Sequence, residues 1–263
     1  MTAQVIAEGA SANLTANAFT NIGYIFAGWS TTSGGALAYA DRQEYAMGAS
    51  DVTLYAKWTA SVSLLIKLTF DDQSCADTSG NNNTCTGTSV SYASDDNGGY
   101  AASLNGSSSY IKLPNSILSR DTFTVMMRFK AEDGQKGCLL GYQNTTVGVQ
   151  PTQFIPIIMV QSDGLLRGIL WTTANDITVL STTTVDDGNW HTVYFSAKSN
   201  SIALYLDGKQ IGTATGTVRP LSMIYSQIGT SYGRARDPGY STDAWYYFDG
   251  LVDNFYLYNA ALH

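Results

Sequence analysis

The stretch TFTVMMRFK, residues 122–130, carries an apolar side chain at every second position. The apolar positions are Phe123, Val125, Met127 and Phe129, and the positions between them are Thr124, Met126 and Arg128. Successive side chains of a β-strand point to opposite faces, so this period of two predicts a strand with one face to bury. Because helical periodicity is almost absent elsewhere in the chain, the sequence predicts an all-β protein.

The same alternation recurs outward from this strand. It is found in LLIKLTF, residues 64–70, and on both sides of the hairpin in SNSIALYLDGKQIGT, residues 199–213. In that hairpin Asp207 and Gly208 tolerate the positive φ angles that a two-residue turn requires. We therefore expect a tight turn at this pair.

Composition narrows the function classes. The 263 residues are 44% hydrophobic and hold 14 Lys plus Arg against 21 Asp plus Glu, a net charge of −7. A chain of this acidity lacks the basic surface that binds nucleic acid, and no apolar run is long enough to insert into a membrane. The polar, weakly charged composition is typical of secreted bacterial β-proteins, so we expect an extracellular or cell-surface fragment of a longer protein, monomeric within a multidomain chain.

The cysteines leave two possibilities open. Cys75 and Cys85 bracket the polar segment ADTSGNNNT at a separation that a disulfide can close, while Cys138 lies in an apolar run. Either the first two form a loop disulfide, or they are unpaired thiols in an exposed loop. Cys138 fits a buried small hydrophobe.

A composition change near residue 60 predicts two domains, 1–60 and 61–263. In the first, GYIFAGWS (23–30), YADRQEYAM (39–47) and DVTLYAKW (51–58) resemble the Listeria-Bacteroides repeat, or internalin B-repeat, a small β-grasp-like module of surface proteins. The resemblance implies a spacer or interaction module and no catalysis. Trp29 and Trp58 are expected in its core rather than on a ligand platform.

The second domain resembles the laminin-G-like jelly roll of the concanavalin A-like lectin and glucanase superfamily. The resemblance depends on an ordered set of short motifs, among them LIKLTFDD, DTFTVMMRFKAED, DDGNWHTVYF, SIALYLDGKQIG and YFDGLVDNFYLYNAAL. It implies two antiparallel sheets packed face to face, with the first strand paired to the last.

His191, in DDGNWHTVYF (186–195), is the one internal histidine, since His263 is terminal. It shares a strand face with Val193 and Phe195, and nothing in the sequence places an acid behind the ring. A general base needs such an orienting acid together with a nucleophile or substrate proton. A structural histidine is therefore favoured over a catalytic one.

Carboxylates argue further against hydrolysis. The resemblance implies that glucanases of this superfamily use two nearby glutamates on one strand, at the short separation that a retaining mechanism requires. The chain has only Glu8, Glu44 and Glu132, which form no such pair. The Asp71-Asp72, Asp95-Asp96 and Asp186-Asp187 pairs are sequence neighbours, typical of turns or cation ligands.

Ligand binding remains as the expected activity. The segment TSYGRARDPGYSTDAWYYFDG, residues 230–250, is a long insertion before the last strand, and loops of this length are often functional. The predicted ligand-binding residues are Tyr232, Arg234, Arg236, Tyr240 and Trp245, with Trp171 as a further candidate. The alternative is that Trp245 and Tyr246 begin the last strand and cover the core.

Pairing of the first and last strands also brings four aspartates near one another, and so predicts a structural Ca²⁺ site. These residues are Asp71, Asp72, Asp77 and Asp253. Hard oxygen ligands in a flexible loop suit Ca²⁺, and the resemblance implies a calcium between these elements. The alternative is that Asp253 caps backbone amides while the others are solvated.

The favoured function is a non-catalytic fragment that binds a glycan, host matrix or a cell-surface glycoprotein. The second possibility is an accessory module of a polysaccharide-degrading enzyme, or a jelly roll that cleaves glycans by an Asp- or Tyr-based route. A structural stalk domain is the third.

Overall fold

A computed structural model describes residues 1–19, 24–60, 62–118, 122–172, 176–219, 222–235 and 241–262. The chain divides into two compact units, Met1–Ser63 and Leu64–His263. The described residues contain no α-helix, and therefore none that is long and apolar enough to cross a membrane.

Short strands connected by turns make up both units. The strands are β1 Ser11–Asn13, β2 Tyr24–Ser30, β3 Glu44–Ala46, β4 Tyr55–Ala60, β5 Leu64–Leu68, β6 Thr86–Thr88, β7 Ser91–Ser94, β8 Tyr100–Asn105, β9 Tyr110–Lys112, β10 Phe123–Lys130, β11 Gly137–Gln143, β12 Phe154–Val160, β13 Leu165–Leu170, β14 Ile177–Thr184, β15 Trp190–Lys198, β16 Ser201–Leu206, β17 Lys209–Thr215, β18 Tyr225–Ile228, β19 Thr230–Gly233, β20 Ala244–Tyr247 and β21 Asp249–Tyr258.

In the first unit, β1 pairs with β3 and β2 pairs with β4, both antiparallel. Phe26 packs edge-to-face on Trp29 and on Trp58, with ring centroids 4.9 Å and 5.5 Å apart. Trp29 is buried. These contacts place the two tryptophans in the small aromatic core of the unit, because edge-to-face rings stabilise each other over short distances.

The second unit is a sandwich of two large antiparallel sheets, which confirms the predicted jelly-roll architecture. The front sheet has the order β17-β16-β15-β10-β21-β8-β7, with β5 also paired to β21. The back sheet has the order β14-β13-β12-β11-β18-β9-β6, and the β19–β20 hairpin joins it through β20 and β11. The first strand of this unit therefore pairs with the last, as expected.

The quoted strand β10 lies at the centre of the front sheet, between β15 and β21. Its apolar positions are almost fully buried against the back sheet, and Val125 is opposite Phe195 on one side and Leu257 on the other. The hairpin turn is also as predicted, with φ of 50° at Asp207 and 76° at Gly208.

The middle of the back sheet is buried on both faces. Every residue of β11 and β12 is buried, because the core covers one face and β19 packs against these strands on the other. The segment predicted to be a ligand loop therefore contributes a layer of the fold.

Candidate functional site

Four aromatic side chains, two of them from the predicted ligand loop, form a continuous chain of edge-to-face contacts. Ring centroids are 4.8 Å apart for Phe154 and Trp171, 5.3 Å for Phe154 and Tyr232, and 5.7 Å for Tyr232 and Trp245, all edge-to-face. Trp171 keeps 9% and Tyr232 only 5% of its surface exposed. Rings so deeply buried cannot stack on a sugar, and their burial contradicts the prediction that Trp171 and Tyr232 contact ligand.

The rest of the predicted set is divided. Trp245 packs partly buried against the same core, as the alternative interpretation anticipated. The Arg234 guanidinium lies 5.1 Å from the centroid of the Phe154 ring, a cation–π contact. Arg236 and Tyr240 lie outside the described residues, so their role stays a prediction.

Tyr246 is a partly exposed aromatic residue of this segment. It follows Trp245 on β20 and so points to the opposite face, where it lines a groove of about 320 Å³ with Lys136, Ser162 and Ser241. Burial raises the pKa of the Tyr246 hydroxyl, but hydrogen bonds from Thr242 and Ser241 outweigh this and hold the pKa below its usual value. The groove offers one fixed ring and several hydroxyls.

The predicted calcium ligands have hydrogen-bond partners within the protein. The Asp77 carboxylate accepts hydrogen bonds from the backbone N–H of Lys67 and Ser79 on Oδ1, and from Ser79 Oγ and both Asn83 donors on Oδ2. Asp72 accepts two hydrogen bonds from Ser74. Carboxylate lone pairs that are occupied by these donors do not fit a cation site.

The other two predicted ligands have partners of their own. Asp253 is ion-paired with Arg128 at 3.2 Å, and Asp71 Oδ1 accepts a hydrogen bond from the Tyr100 N–H at 3.4 Å. Among the described residues, no group of three or more His, Cys, Asp or Glu side chains is arranged to hold a metal ion. Each of the four carboxylates has a hydrogen-bond or ion-pair partner of its own, and the calcium site stays a prediction.

Arg128 is the centre of a charged cluster on the outer face of the front sheet. Its guanidinium contacts Asp96 at 2.6 Å, Asp253 at 3.2 Å and Asp95 at 3.8 Å, and lies 4.5 Å from the centroid of the Trp190 ring. Burial raises the pKa of Asp253. The side chains of Asp95 and Asp253 are only 4% and 1% exposed. Both side chains are therefore packed around Arg128 rather than open to solvent.

His191 is held between two acids. Its Nδ1 lies 2.8 Å from Asp207 Oδ2, and its Nε2 lies 3.1 Å from Asp187 Oδ1. The expectation that no acid stands behind the ring is therefore wrong, since one comes from the preceding turn and one from the next hairpin. Hydrogen bonds from Asn189, followed by those of His191, lower the pKa of Asp187 to about 2. Because both ring nitrogens are hydrogen-bonded to these carboxylates, the histidine connects the two turns.

Cys75 and Cys85 are free thiols in this structure, so the disulfide alternative is not observed. Cys75 is buried in the core, its Sγ 3.4 Å from the Tyr92 hydroxyl oxygen, rather than exposed in a loop. Burial raises the pKa of Cys75, and raises that of Cys85 and of the fully buried Cys138 to about 12. All three are poor nucleophiles, because the thiolate is the reactive form.

A line of side chains that we call the tyrosine row crosses the outer face of the front sheet. Its members are directly opposite one another on five adjacent strands, in the order Tyr205, Tyr194, Met126, Tyr256 and Lys67. Directly opposed residues share a face, and the neighbours of each member along its strand are in the core. All five are partly exposed.

The spacing between the tyrosines of the row suits a chain of sugar rings. Strands lie about 4.8 Å apart, so Tyr194 and Tyr256 are separated by about 10 Å across Met126. A groove of about 290 Å³ runs beside Tyr194 and Tyr205, walled by Gly208 and Leu262. The Arg128 cluster lies next to the row on the same face of the sheet, because Arg128 is two residues after Met126 on β10. Aromatic faces and fixed polar groups thus occur side by side on one surface.

The tyrosine row is not among the ligand-binding residues predicted from the sequence. In SIALYLDG, NWHTVYF and NFYLYN the tyrosine alternates with apolar residues that enter the core. This alternation is the sequence signal that each tyrosine faces solvent. Only the register between strands separated by many residues reveals that these positions align.

Comparison with protein families settles the classification of the second unit. Residues 105–263, more than half of the chain, match the family model of the concanavalin A-like lectin/glucanases superfamily. The chain belongs to this superfamily. Residues 1–57 match the Listeria-Bacteroides repeat domain, and both matches agree with the resemblances in the sequence. No curated protein sequence matches the chain.

Solved structures share the fold of the concanavalin A-like domain at low identity. Domain 4 of AbnA, a GH43 extracellular arabinanase from Geobacillus stearothermophilus, was solved with arabinotriose. It is 19% identical with a TM-score of 0.51, and the match covers 77% of this chain and 95% of that one.

Two further matches cover smaller shares of larger chains. The binding domain of Paraclostridial Mosquitocidal Protein 1 is 16% identical, with a TM-score of 0.52 and coverage of 76% and 50%. Trypanosoma rangeli sialidase with the inhibitor DANA is 15% identical, with a TM-score of 0.52 and coverage of 75% and 31%. The chain thus spans half or less of these two proteins.

Proposed function

We propose that the concanavalin A-like domain is a non-catalytic carbohydrate-binding module of a larger secreted or cell-surface bacterial protein. The observation that carries the proposal is the tyrosine row, three partly exposed rings aligned across the front sheet. Ring faces stack on the apolar faces of sugars, and a few fixed polar groups orient the hydroxyls. The row runs across the strands, so its rings are spaced at multiples of about 4.8 Å along a line that an extended oligosaccharide can follow.

The charge at the site favours a neutral glycan. Three carboxylates surround Arg128 beside the row, and Asp96 is 49% exposed at its edge. A polyanionic glycan would be repelled there, whereas neutral sugar hydroxyls can donate to Asp96. The Listeria-Bacteroides repeat supports placement on a bacterial surface, with adhesion as the simplest role.

A role as accessory module of a polysaccharide-degrading enzyme is the second candidate. It is favoured by one observation, the shared fold with a domain of an extracellular arabinanase. The physics of binding is the same in both cases, and the candidates differ only in what the rest of the protein does.

A glycan array that includes neutral arabinan, glucan and mannan oligosaccharides tests the proposal. We expect the full chain to bind at least one of them, and Tyr194→Ala to weaken that binding about tenfold, which corresponds to about 1.4 kcal/mol. Tyr55→Ala, at a tyrosine that is 42% exposed in the first unit, is the matched control and should leave affinity unchanged.

A reducing-sugar release assay on the same preparation tests the absence of catalysis. We expect no release. Release that is lost in Asp96→Asn would replace the binding proposal with a hydrolytic one. Failure to bind any neutral glycan, or equal affinity in Tyr194→Ala, would remove the tyrosine row as the binding site.

A further inference from the structure

The back sheet carries a groove that the proposed function does not use. It has a volume of about 210 Å³ and is lined by Tyr110, Lys112, Thr146, Val147, Tyr225 and Gln227, together with Ser226. Lys112 of β9 is opposite Gln227 of β18, and the adjacent pair, Ile111 and Ile228, is fully buried in the core. Side chains alternate along a strand, so Lys112 and Gln227 face away from the core. We call this surface the lysine groove.

One wall of the lysine groove is held by its own hydrogen bonds. Thr145 Oγ1 donates to the Val149 carbonyl at 2.8 Å, and the Val149 N–H donates to the Thr146 carbonyl at 3.2 Å. Gln143 Nε2 donates to the Thr145 carbonyl at 2.9 Å. The wall is therefore preformed, which reduces the ordering cost of binding a ligand.

The floor holds a buried polar side chain in one orientation. Gln227 is 2% exposed, and its Nε2 donates to Gln143 Oε1 at 3.1 Å and to the Thr230 carbonyl at 3.0 Å. A Cβ at Gly141 would lie 2.5 Å from this nitrogen, so the glycine leaves room for the amide. Both amide hydrogens are engaged, and Gln227 Oε1 accepts no hydrogen bond from the described part of the chain. This oxygen can accept a ligand hydroxyl.

The charge of the lysine groove is opposite to that of the whole chain. The described residues that line it include Lys112 and no Asp or Glu, although the net charge of the protein is −7. The Lys112 ammonium lies 6.0 Å from the centroid of the Tyr225 ring. Within the described residues Lys112 makes no ion pair, so its charge is available to an anion. Tyr110 and Tyr225 supply aromatic faces at the two ends of the Lys112–Gln227 pair.

We propose that the lysine groove is a second saccharide site and that it takes a sugar bearing a carboxylate, such as a uronic or sialic acid residue. The carboxylate pairs with Lys112, the sugar ring packs on Tyr225, and a hydroxyl donates to Gln227 Oε1. The site is on the sheet opposite the tyrosine row and is independent of it. The two sites differ in charge: three carboxylates lie beside the row, which also has Lys67 at one end, whereas Lys112 is the charged residue among the described residues that line the groove.

Titration calorimetry of the full chain with tetragalacturonate, its fully methyl-esterified form and sialyllactose tests this inference. We expect at least one of the two acids to bind and the ester to bind at least tenfold more weakly. Affinity for the acid should fall as NaCl rises, because an exposed ion pair is screened. Lys112→Gln should lower affinity at least tenfold, whereas Lys209→Gln, at an exposed lysine of β17, should not.

Two further variants separate this site from the tyrosine row. Tyr225→Ala should weaken acid binding about tenfold, and Tyr194→Ala should leave it unchanged. The inference is overturned if neither acid binds, if the ester binds as well as the acid, or if Lys112→Gln retains full affinity. Loss of acid binding in Tyr194→Ala would instead assign the acid to the tyrosine row, and would also overturn it.

Discussion

The Asp77 carboxylate connects the loop after β5 to that strand by hydrogen bonds, and removal of the carboxylate should destabilise the second unit. The carboxylate accepts five hydrogen bonds, including one from the Lys67 backbone N–H in β5 at 3.0 Å. A hydrogen bond to a charged group contributes about 1.5–3 kcal/mol. The side chains of Ser79 and Asn83 can hydrogen-bond to water when the carboxylate is lost, so only one to two of the five bonds count toward the loss of stability. We therefore expect Asp77→Ala to lower the free energy of unfolding by about 3 kcal/mol.

Asp72→Ala is the matched control, because Asp72 lies in the same loop, is exposed and accepts only two hydrogen bonds, both from Ser74. Its expected cost is below about 1 kcal/mol. Urea unfolding of the full chain, followed by circular dichroism, measures both. With a slope near 3 kcal/mol/M, the midpoint should fall by about 1 M in Asp77→Ala.

The pH dependence gives an independent check. Burial raises the pKa of Asp77, but the hydrogen bonds from Lys67, Ser79 and Asn83 outweigh it, so the folded pKa lies below the usual value of 3.8. A depressed carboxyl pKa contributes stability above the unfolded pKa, and this contribution is lost as pH falls through the folded pKa. The difference between wild type and Asp77→Ala should be full at neutral pH and shrink as pH falls below the unfolded value of 3.8. Equal midpoints for the two variants, or a difference that persists in acid, would refute the reasoning.

Two other predictions concern burial. Tyr232→Ala should cost about 3 kcal/mol in urea unfolding, since it empties the centre of an aromatic stack, whereas the partly exposed Tyr205→Ala should cost less than about 1 kcal/mol; comparable losses would contradict the assignment of Tyr232 to the core. With a pKa near 12, Cys85 should react with a thiol reagent at pH 8 about a thousandfold more slowly in the native protein than in urea. Cys138 should react at least as slowly. Fast labelling of either cysteine in the native protein would show that it is not buried. Fewer than three free thiols after unfolding would show that the cysteines are not all reduced.

The sequence by itself determined the architecture, because the hydrophobic period is a local property. The alternation in residues 122–130 specifies which side chains enter the core, and the Asp207-Gly208 pair specifies its turn through backbone sterics. The order of such elements was sufficient to indicate a jelly roll. The lack of a glutamate pair was equally visible, since it depends only on residue type.

Only the tertiary structure decided which side chains are exposed together on one surface. Alternation shows that Trp245 and Tyr246 face opposite ways, but not which of the two sides another segment covers. The tyrosine row depends on the register of strands far apart in the chain, and the Asp207 contact with His191 depends on a hairpin folding back. The Lys67 N–H partner of Asp77 likewise comes from a strand ten residues earlier in the chain. Pairing between distant strands and the covering of one face by another are collective results of packing, and no short stretch of sequence encodes them.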